Sequence, residues 1–344
     1  MERKPVLGIF LGEAAGIGPE LVAKVVADGT VYKYCRPVLI GDARVLALGQ
    51  KIAGVHFQWN VISDPTEADW TTGNVPLLDL KNFNPEKLTM GTIDTDSGYA
   101  TGESLVTCMS LLKSGKIDGF VFAPLNKEAF KKGGWDIEDE HYLFAEQLGY
   151  LDKPRGLLNV LGDLWVFRVT GHIPFKDIAS HITPENVSRS IQLCYDTLRM
   201  AAVENPRIAV AALNPHAGDG GTCGKEEIDV LIPVIEGFRE KGMDMYGPVP
   251  GDTVFIHAFN HEYDAVVTLF HDQGQIATKL HSFDVGITVA AGLPFAITTP
   301  EHGTAFDIAG KGIAKTLATE RAIAVAARMA STVHKDNWVM LPTY

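Results

Sequence analysis

The sequence predicts an α/β protein of two domains with mostly parallel strands, and three observations carry that prediction. The chain has 344 residues, and domains run to roughly 100–200 residues each. Hydrophobic residues make up 46% and charged residues 21%, the mix of a chain able to bury a core, which excludes disordered, collagen-like and coiled-coil classes. Short apolar runs alternate with amphipathic stretches from end to end, the pattern of strands and helices layered about a parallel sheet.

Val6–Leu11 is an apolar run of strand length. With the charged opening Met1–Pro5 it mimics a signal peptide, but Gly12-Glu13 ends the run too early, so a buried strand is expected. Pro19–Ala27 reads as a helix with proline in its first turn, where a missing N–H is no loss. Pro37–Ile40 and Val75–Leu80 read as strands. Gly102–Lys113 sets Leu105, Met109 and Leu112 on one helical face. Ile117–Ala123 is a strand stopped by Pro124. In the second half, Leu164–Val169 is a strand, and Thr183-Pro184 opens a long helix to Val203. Arg207–Leu213 (strand), Lys225–Glu240 (helix), Ala265–Phe270 and Ile287–Ala291 (strands) follow, and the Ala-rich Thr316–Ala330 is a terminal helix. No repeat, low-complexity stretch or Ser- or Pro-rich linker divides the chain, so ordered chain crosses any domain boundary.

Lys and Arg number 30 against 42 Asp and Glu, a net charge of −12 at pH 7. Such a chain lacks the electrostatic footprint of general nucleic-acid binding and is repelled by an anionic membrane surface. No stretch approaches the roughly 20 apolar residues of a membrane span. Cys35, Cys108, Cys194 and Cys223 are far apart and form no CxxC pair, so reduced thiols and a cytoplasmic location are expected.

Three constellations can carry chemistry. Gly12–Glu20 lies between the first strand and the first helix, where glycines permit a sharp turn and a helix N-terminus favours anions. It is neither GxGxxG nor a Walker loop, and a turn needed only for chain geometry reads equally well. Three strands each lead to a histidine: His172, His216 and His271. Ligands of parallel sheets bind beyond the carboxyl ends of strands, and three imidazoles there suit a divalent metal with open positions for substrate. Each histidine alone is more often a surface or capping residue. Glu301–Gly312 is rich in small residues, a loop a flat ligand could approach closely or simply the lead-in to the last helix.

Taken together the motifs resemble the 4-hydroxythreonine-4-phosphate dehydrogenase family, which shares the isocitrate/isopropylmalate dehydrogenase fold. The matching segments are Gly16–Glu20, Asn126-Lys127-Glu128, Leu213–Gly218, His271–Gly274, Gly292–Phe295 and His302–Ala305, in family order from about residue 7 to 330. The resemblance implies two α/β/α domains with a cleft between them that holds the active site. The expected division is 1–126 plus 280–344, bearing the NAD loop, and 127–279, bearing metal ligands and the dimer contact. It further implies a homodimer with shared active sites, metal ligands His172, His216 and His271, a substrate lysine at Lys279, and NAD against His302, Gly303, Thr304, Ala305 and Asp307. The metal is one divalent ion: Zn, Co or Ni suits three histidines, and added oxygens admit Mn or Mg.

The reaction so implied is oxidation of a secondary alcohol β to a carboxylate, with decarboxylation, as in pyridoxine biosynthesis. Asp272 beside a ligand, Asp252 in Pro250–Thr253, and Lys127 are candidate acid–base groups, with orientation of a metal ligand, or helix-start packing for Lys127, as the plainer roles. Several positions depart from the family pattern. Gly12-Glu13-Ala14-Ala15-Gly16 stands for Gly-Asp-Pro-Ala-Gly. Asp139–Tyr142, with His141, stands for Gly-His-Thr-Glu. Thr288 stands for a substrate-holding Asn, and Ile297 for an Arg whose fork matches phosphate oxygens. Phosphate is therefore expected to contribute less to recognition here, and Ile297→Arg to restore it. Two alternatives remain open: a dehydrogenase for an unphosphorylated carboxylate such as a cyclic dihydrodiol acid, and a non-catalytic metal- or nucleotide-binding protein.

Overall fold

A computed structural model describes residues 4–137, 139–281 and 285–336. In chain order the elements begin with β1 (Val6–Phe10), α1 (Gly18–Ala27), α2 (Val31–Tyr34), β2 (Arg36–Gly41), α3 (Ala43–Ala53), β3 (Trp59–Ile62) and β4 (Val75–Asp79). Next come α4 (Thr95–Lys113), β5 (Gly119–Phe122), α5 (Lys127–Lys132), α6 (Glu140–Leu148), β6 (Gly156–Leu161), β7 (Leu164–Arg168), α7 (Ile178–His181) and α8 (Pro184–Met200). The remainder are β8 (Ile208–Ala211), α9 (Ile232–Glu240), β9 (Met245–Val249), α10 (Val254–Phe259), β10 (Ala265–Thr268), α11 (His271–His281), β11 (Ile287–Ala291), β12 (Ala296–Pro300) and α12 (Leu317–Asp336).

The chain forms two compact units, dividing at 153/154 and 292/293, later than the divides at 126/127 and 279/280 expected from sequence. Helices α5 and α6 pack on α4 and so keep 127–153 with the first unit. Strand β11 pairs with β6 and so keeps 287–291 with the second.

The first unit holds a parallel sheet in the order β3-β4-β2-β1-β5-β12. Its inner strands are buried on both faces, as β1 is at all five positions, which explains their continuous apolar runs. The second unit has the order β11-β6-β7-β10-β8-β9. Strands β7, β10, β8 and β9 are mutually parallel, and β6 runs against β7 and β11. Strands β3, β6, β9 and β12 are not anticipated by the sequence reading. Helix α4 starts earlier than expected, because Asp94 accepts the Ser97 N–H at 2.7 Å and caps it there.

Candidate active site

The strand order of the second unit places β7, β10 and β8 side by side, with β10 in the middle. The chain leaving these strands carries His172, His271 and His216 respectively. Neighbouring strands lie about 4.8 Å apart, so three segments distant in sequence leave adjacent positions at one sheet end. The His172 and His271 rings stand 5.1 Å apart at 47°. His271 Nδ1 donates to Asp272 Oδ1 at 2.7 Å, which leaves Nε2 as the donor atom for a ligand, the arrangement usual for a metal-binding histidine. That contact gives Asp272 an orienting position. Among the described residues no group of three His, Cys, Asp or Glu side chains is arranged to hold a metal ion, so His216 does not complete the pair. Asp252 lies exposed after β9.

The His216 loop is clamped from below. Glu227, with no exposed surface, accepts the Leu213 and Asn214 N–H groups at 2.8 and 2.7 Å. Asn214 Nδ2 donates to Glu226 and Glu227 at 2.7 and 2.8 Å. The loop above has three non-glycine residues in left-handed backbone: His216 (φ 53°), Ala217 (φ 54°) and Asp219 (φ 46°). Such conformations cost on the order of 1–3 kcal/mol each and persist where surrounding bonds impose them; the Glu227 clamp fixes the Leu213-Asn214 entry to this loop. Gln273 ties the ends of β10 and β8, accepting from Leu269 N–H and donating to Ala212 O, both at 2.8 Å.

Lys279 lies exposed on α11, two turns beyond His271 and so about 12 Å along the axis. Thr288, half-buried on β11, pairs across the sheet with Asn159.

In the first unit the sheet reverses its winding between β1 and β5, the position where open α/β sheets bind ligands. Glu13 sits there, 1% exposed. Its N–H donates to Pro124 O at 3.1 Å, and its Oε2 accepts the Asn126 N–H at 2.6 Å. Its Oε1 is buried without a hydrogen-bond partner. Burial raises the carboxyl from 4.5 to about 7, the Asn126 bond opposing and the charge of Asp94 adding to the rise. Asn126 also caps α5, accepting from Glu128 and Ala129 N–H at 3.0 Å. Lys127 follows, largely exposed, with Nζ 3.8 Å from Glu140.

The loop after β12 is held against the loop after β1. Ile17 N–H donates to Thr304 O at 3.1 Å. A Cβ on Gly16 would stand 2.8 Å from Thr304 Cβ, so only glycine allows this approach. Ala305, Ile308 and Ala309 pack on Ile17, Leu21 and Ala314. Gly303 is exposed, with open space where a side chain would stand, and His302 and Asp307 flank the same stretch. His302 Nδ1 lies 3.1 Å from Gly303 O.

Two expected substrate residues are core. His141 is 4% exposed on α6, and Ile297 is 0% exposed on β12, opposite Phe120 of β5. Ile297 thus touches no solute, and Ile297→Arg would bury a charge rather than open a phosphate clamp. The sequence reading passed over Glu13 as a departure from a motif. Its signal was a lone carboxylate in an otherwise small, apolar stretch between a buried strand and a helix.

Each unit is an open α/β layer with ligand-capable groups beyond its parallel strand ends, the architecture of a class of folds that binds small molecules there. The chain belongs to the family described as "Pyridoxal phosphate biosynthetic protein PdxA", whose match spans residues 33–326. It is 42% identical over 329 residues, covering 96% of this chain and 94% of the relative, to the "Putative 4-hydroxythreonine-4-phosphate dehydrogenase 2" of Rhizobium meliloti (strain 1021). It is 36% identical over 337 residues (98% of this chain, 100% of the relative) to the "Putative D-threonate 4-phosphate dehydrogenase" of Symbiobacterium thermophilum (strain DSM 24528 / JCM 14929 / IAM 14863 / T). The crystal structure of a 4-hydroxythreonine-4-phosphate dehydrogenase from Burkholderia phymatum superposes with a TM-score of 0.82 at 37% identity, covering 95% of this chain and 99% of that one. The family is one of dehydrogenases, and the α/β fold class and the family resemblance read from the motifs both hold. Among the described residues no helix is long and apolar enough to cross a membrane.

Proposed function

We propose that the protein is an NAD- and divalent-metal-dependent dehydrogenase that oxidises a secondary alcohol β to a carboxylate on a small hydroxy acid, with loss of CO₂, in the supply of pyridoxal phosphate. The observation that carries this reading is the β7-β10-β8 order, which sets three histidine-bearing segments at adjacent strand ends with two rings 5.1 Å apart. The donor chemistry of His172 and His271 fits a divalent ion; His216 leaves the neighbouring strand and would have to draw closer than in this structure to serve as a third donor. A bound ion would supply Lewis acidity to the alcohol and to the carbonyl it becomes. NAD, when bound, supplies the hydride acceptor, and the open backbone at Gly303 fits a flat adenine, with Thr304, Ala305 and Asp307 bordering it. Asp272 orients His271, Asp252 or Lys127 takes the alcohol proton, and Lys279 pairs with the anionic end of the substrate.

The reading includes a homodimer. Helix α11 exposes Ile276 at 59% and Leu280 at 83%, one turn apart, and α10 exposes Ile256 at 60%. The Phe259 and His281 rings stack at 3.9 Å and join the two helices. Exposed apolar side chains this concentrated mark an interaction surface, and α11 also carries His271 and Lys279.

A second reading, an unphosphorylated carboxylate as substrate, is favoured by the fully buried Ile297 where a guanidinium was expected. One screen tests both readings: NADH formation with added divalent metal, pairing each phosphorylated hydroxy acid with its unphosphorylated analogue. Metal-dependent NADH formation that is lost in His172→Ala supports the first proposal. Turnover indifferent to chelator and to His172→Ala refutes it.

A further inference from the structure

Ile297 removes a guanidinium from the position where the family resemblance places one, yet the second unit carries another on the histidine-bearing sheet. Arg168 is the last residue of β7 and Asn159 pairs with Val166, so Arg168 and Asn159 share one face of the sheet. The Arg168 guanidinium donates to Asn159 Oδ1 at 3.4 Å. The same oxygen accepts Gln275 Nε2 from α11 at 3.0 Å. Asn159 and Gln275 are both buried, so the guanidinium rests on an anchored amide rather than on a mobile surface group. Across β6, Asn159 pairs with Thr288, the residue standing for a substrate-holding Asn.

Helix α11 completes the arrangement. His271, Gln275 and Lys279 recur every fourth residue and form one stripe along the helix. Gln275, the middle member, reaches the amide that holds Arg168. His271, one turn before, stands beside His172. Lys279, one turn after, is exposed on the same helix. Arg168 and Thr288 thus flank Asn159 on one face of the sheet, and Gln275 links that face to the helix that carries His271 and Lys279.

We propose that Arg168 supplies the guanidinium that grips the substrate's phosphate in this chain, with Lys279 as the second cation and Thr288 beside them. The inference rests on the alcohol-oxidising reading above and names the phosphate end of that site. It also means that the guanidinium missing at Ile297 is replaced, so a preference for phosphorylated substrate is retained. A planar fork on phosphate oxygens is a charge-assisted pair, and its loss costs roughly tenfold to hundredfold in kcat/KM.

The test is the ratio of kcat/KM for 4-hydroxythreonine 4-phosphate over 4-hydroxythreonine in the parent, Arg168→Ala and Arg168→Lys, with the D-threonate pair run alongside. The expected ratio in the parent is on the order of a hundred or more. It falls roughly tenfold to hundredfold in Arg168→Ala, through KM rather than kcat, and recovers in part in Arg168→Lys. An unchanged ratio in folded Arg168→Ala overturns the assignment. If Arg168→Ala does not fold, Arg168→Gln, which keeps a donor for Asn159, is read the same way. Calorimetry with inorganic phosphate on metal-free, NAD-free protein separates this inference from the oxidation itself. Phosphate binding weakened by Arg168→Ala but not by His172→Ala upholds Arg168 even if neither alcohol is oxidised. Equal phosphate binding by parent and Arg168→Ala overturns it.

Discussion

At their strand ends the two units offer different chemistry. The first presents main chain and small side chains: Gly16 pressed on Thr304, an open Gly303, and a single buried carboxyl at Glu13. The second presents imidazoles, carboxylates and cations, with the His216 segment in left-handed backbone and its entry bonded to Glu227. One surface is built for close approach and is sensitive to bulk; the other is built for charge and is sensitive to the identity of its side chains. On the proposed reading, the first surface would take the flat cofactor and the second the anionic substrate.

The contrast breaks most directly at the histidines. On the proposed metal-dependent reading, His172→Ala and His271→Ala should each lower kcat/KM by about a thousandfold or more, because metal polarisation would supply several kcal/mol. His302→Ala in the first unit should cost less than about tenfold, its loop being carried by backbone. Equal losses in steady-state kinetics would erase the distinction.

Introducing charge into the first unit is a stability test. Ile297→Arg should destabilise by ~3–5 kcal/mol in denaturant unfolding, since the site has no exposed surface and no carboxylate partner is built for it. A variant as stable as its parent would show that this strand tolerates the arginine its family prefers.

Glu13 sharpens the same point through pH. Its folded carboxyl titrates at about 7, above the ordinary 4.5, so the folded state holds the proton more tightly than the unfolded chain. Its stability contribution is fully present below pH 4.5 and is lost as pH rises to about 7, amounting to ~3 kcal/mol. Between pH 4.5 and pH 8 the parent should therefore lose about that much more stability than Glu13→Gln. Parallel pH profiles in the two proteins would remove Glu13 as the cause.

A smaller effect is expected on the exposed face of α10 and α11. On the proposed homodimer reading, Leu280→Glu should weaken dimer affinity by at least about tenfold, with the fold intact by circular dichroism. Light scattering that gives the same mass for variant and parent would count against the α10/α11 interface. The least perturbing measurement uses thiols: Cys35, Cys108 and Cys194 are buried and Cys223 is exposed, so one thiol in four should react promptly with a disulfide reagent and the others only on unfolding.

Much of the fold was legible in the chain because periodicity and punctuation are local. The run Val6–Leu11 contains β1, buried on both faces; Pro19 marks the first turn of α1; the alternation of runs reports the α/β class. Strands β6 and β12 were missed, since a run such as Leu157–Leu161 with Asn159 inside it carries neither clean alternation nor unbroken apolarity. The six motifs were enough to place the chain in its family, because each is a short string whose identity survives without a fold.

What the sequence by itself determined was the inventory: three histidines each following a strand, a lysine further along the third segment, a glycine-rich loop before the last helix, and the absence of an arginine at Ile297. What only the tertiary structure decided was adjacency. Strand order made β10 the neighbour of both β7 and β8, and no local pattern encodes that order, because it depends on which nonlocal pairings bury the most surface. Burial turned Ile297 and His141 from expected lining into core and set Glu13 apart as a buried carboxyl that holds its proton. Register across β11, β6 and β7 brought Thr288, Asn159 and Arg168 to one face of the sheet, a consequence of hydrogen-bonded pairing between segments far apart in the chain.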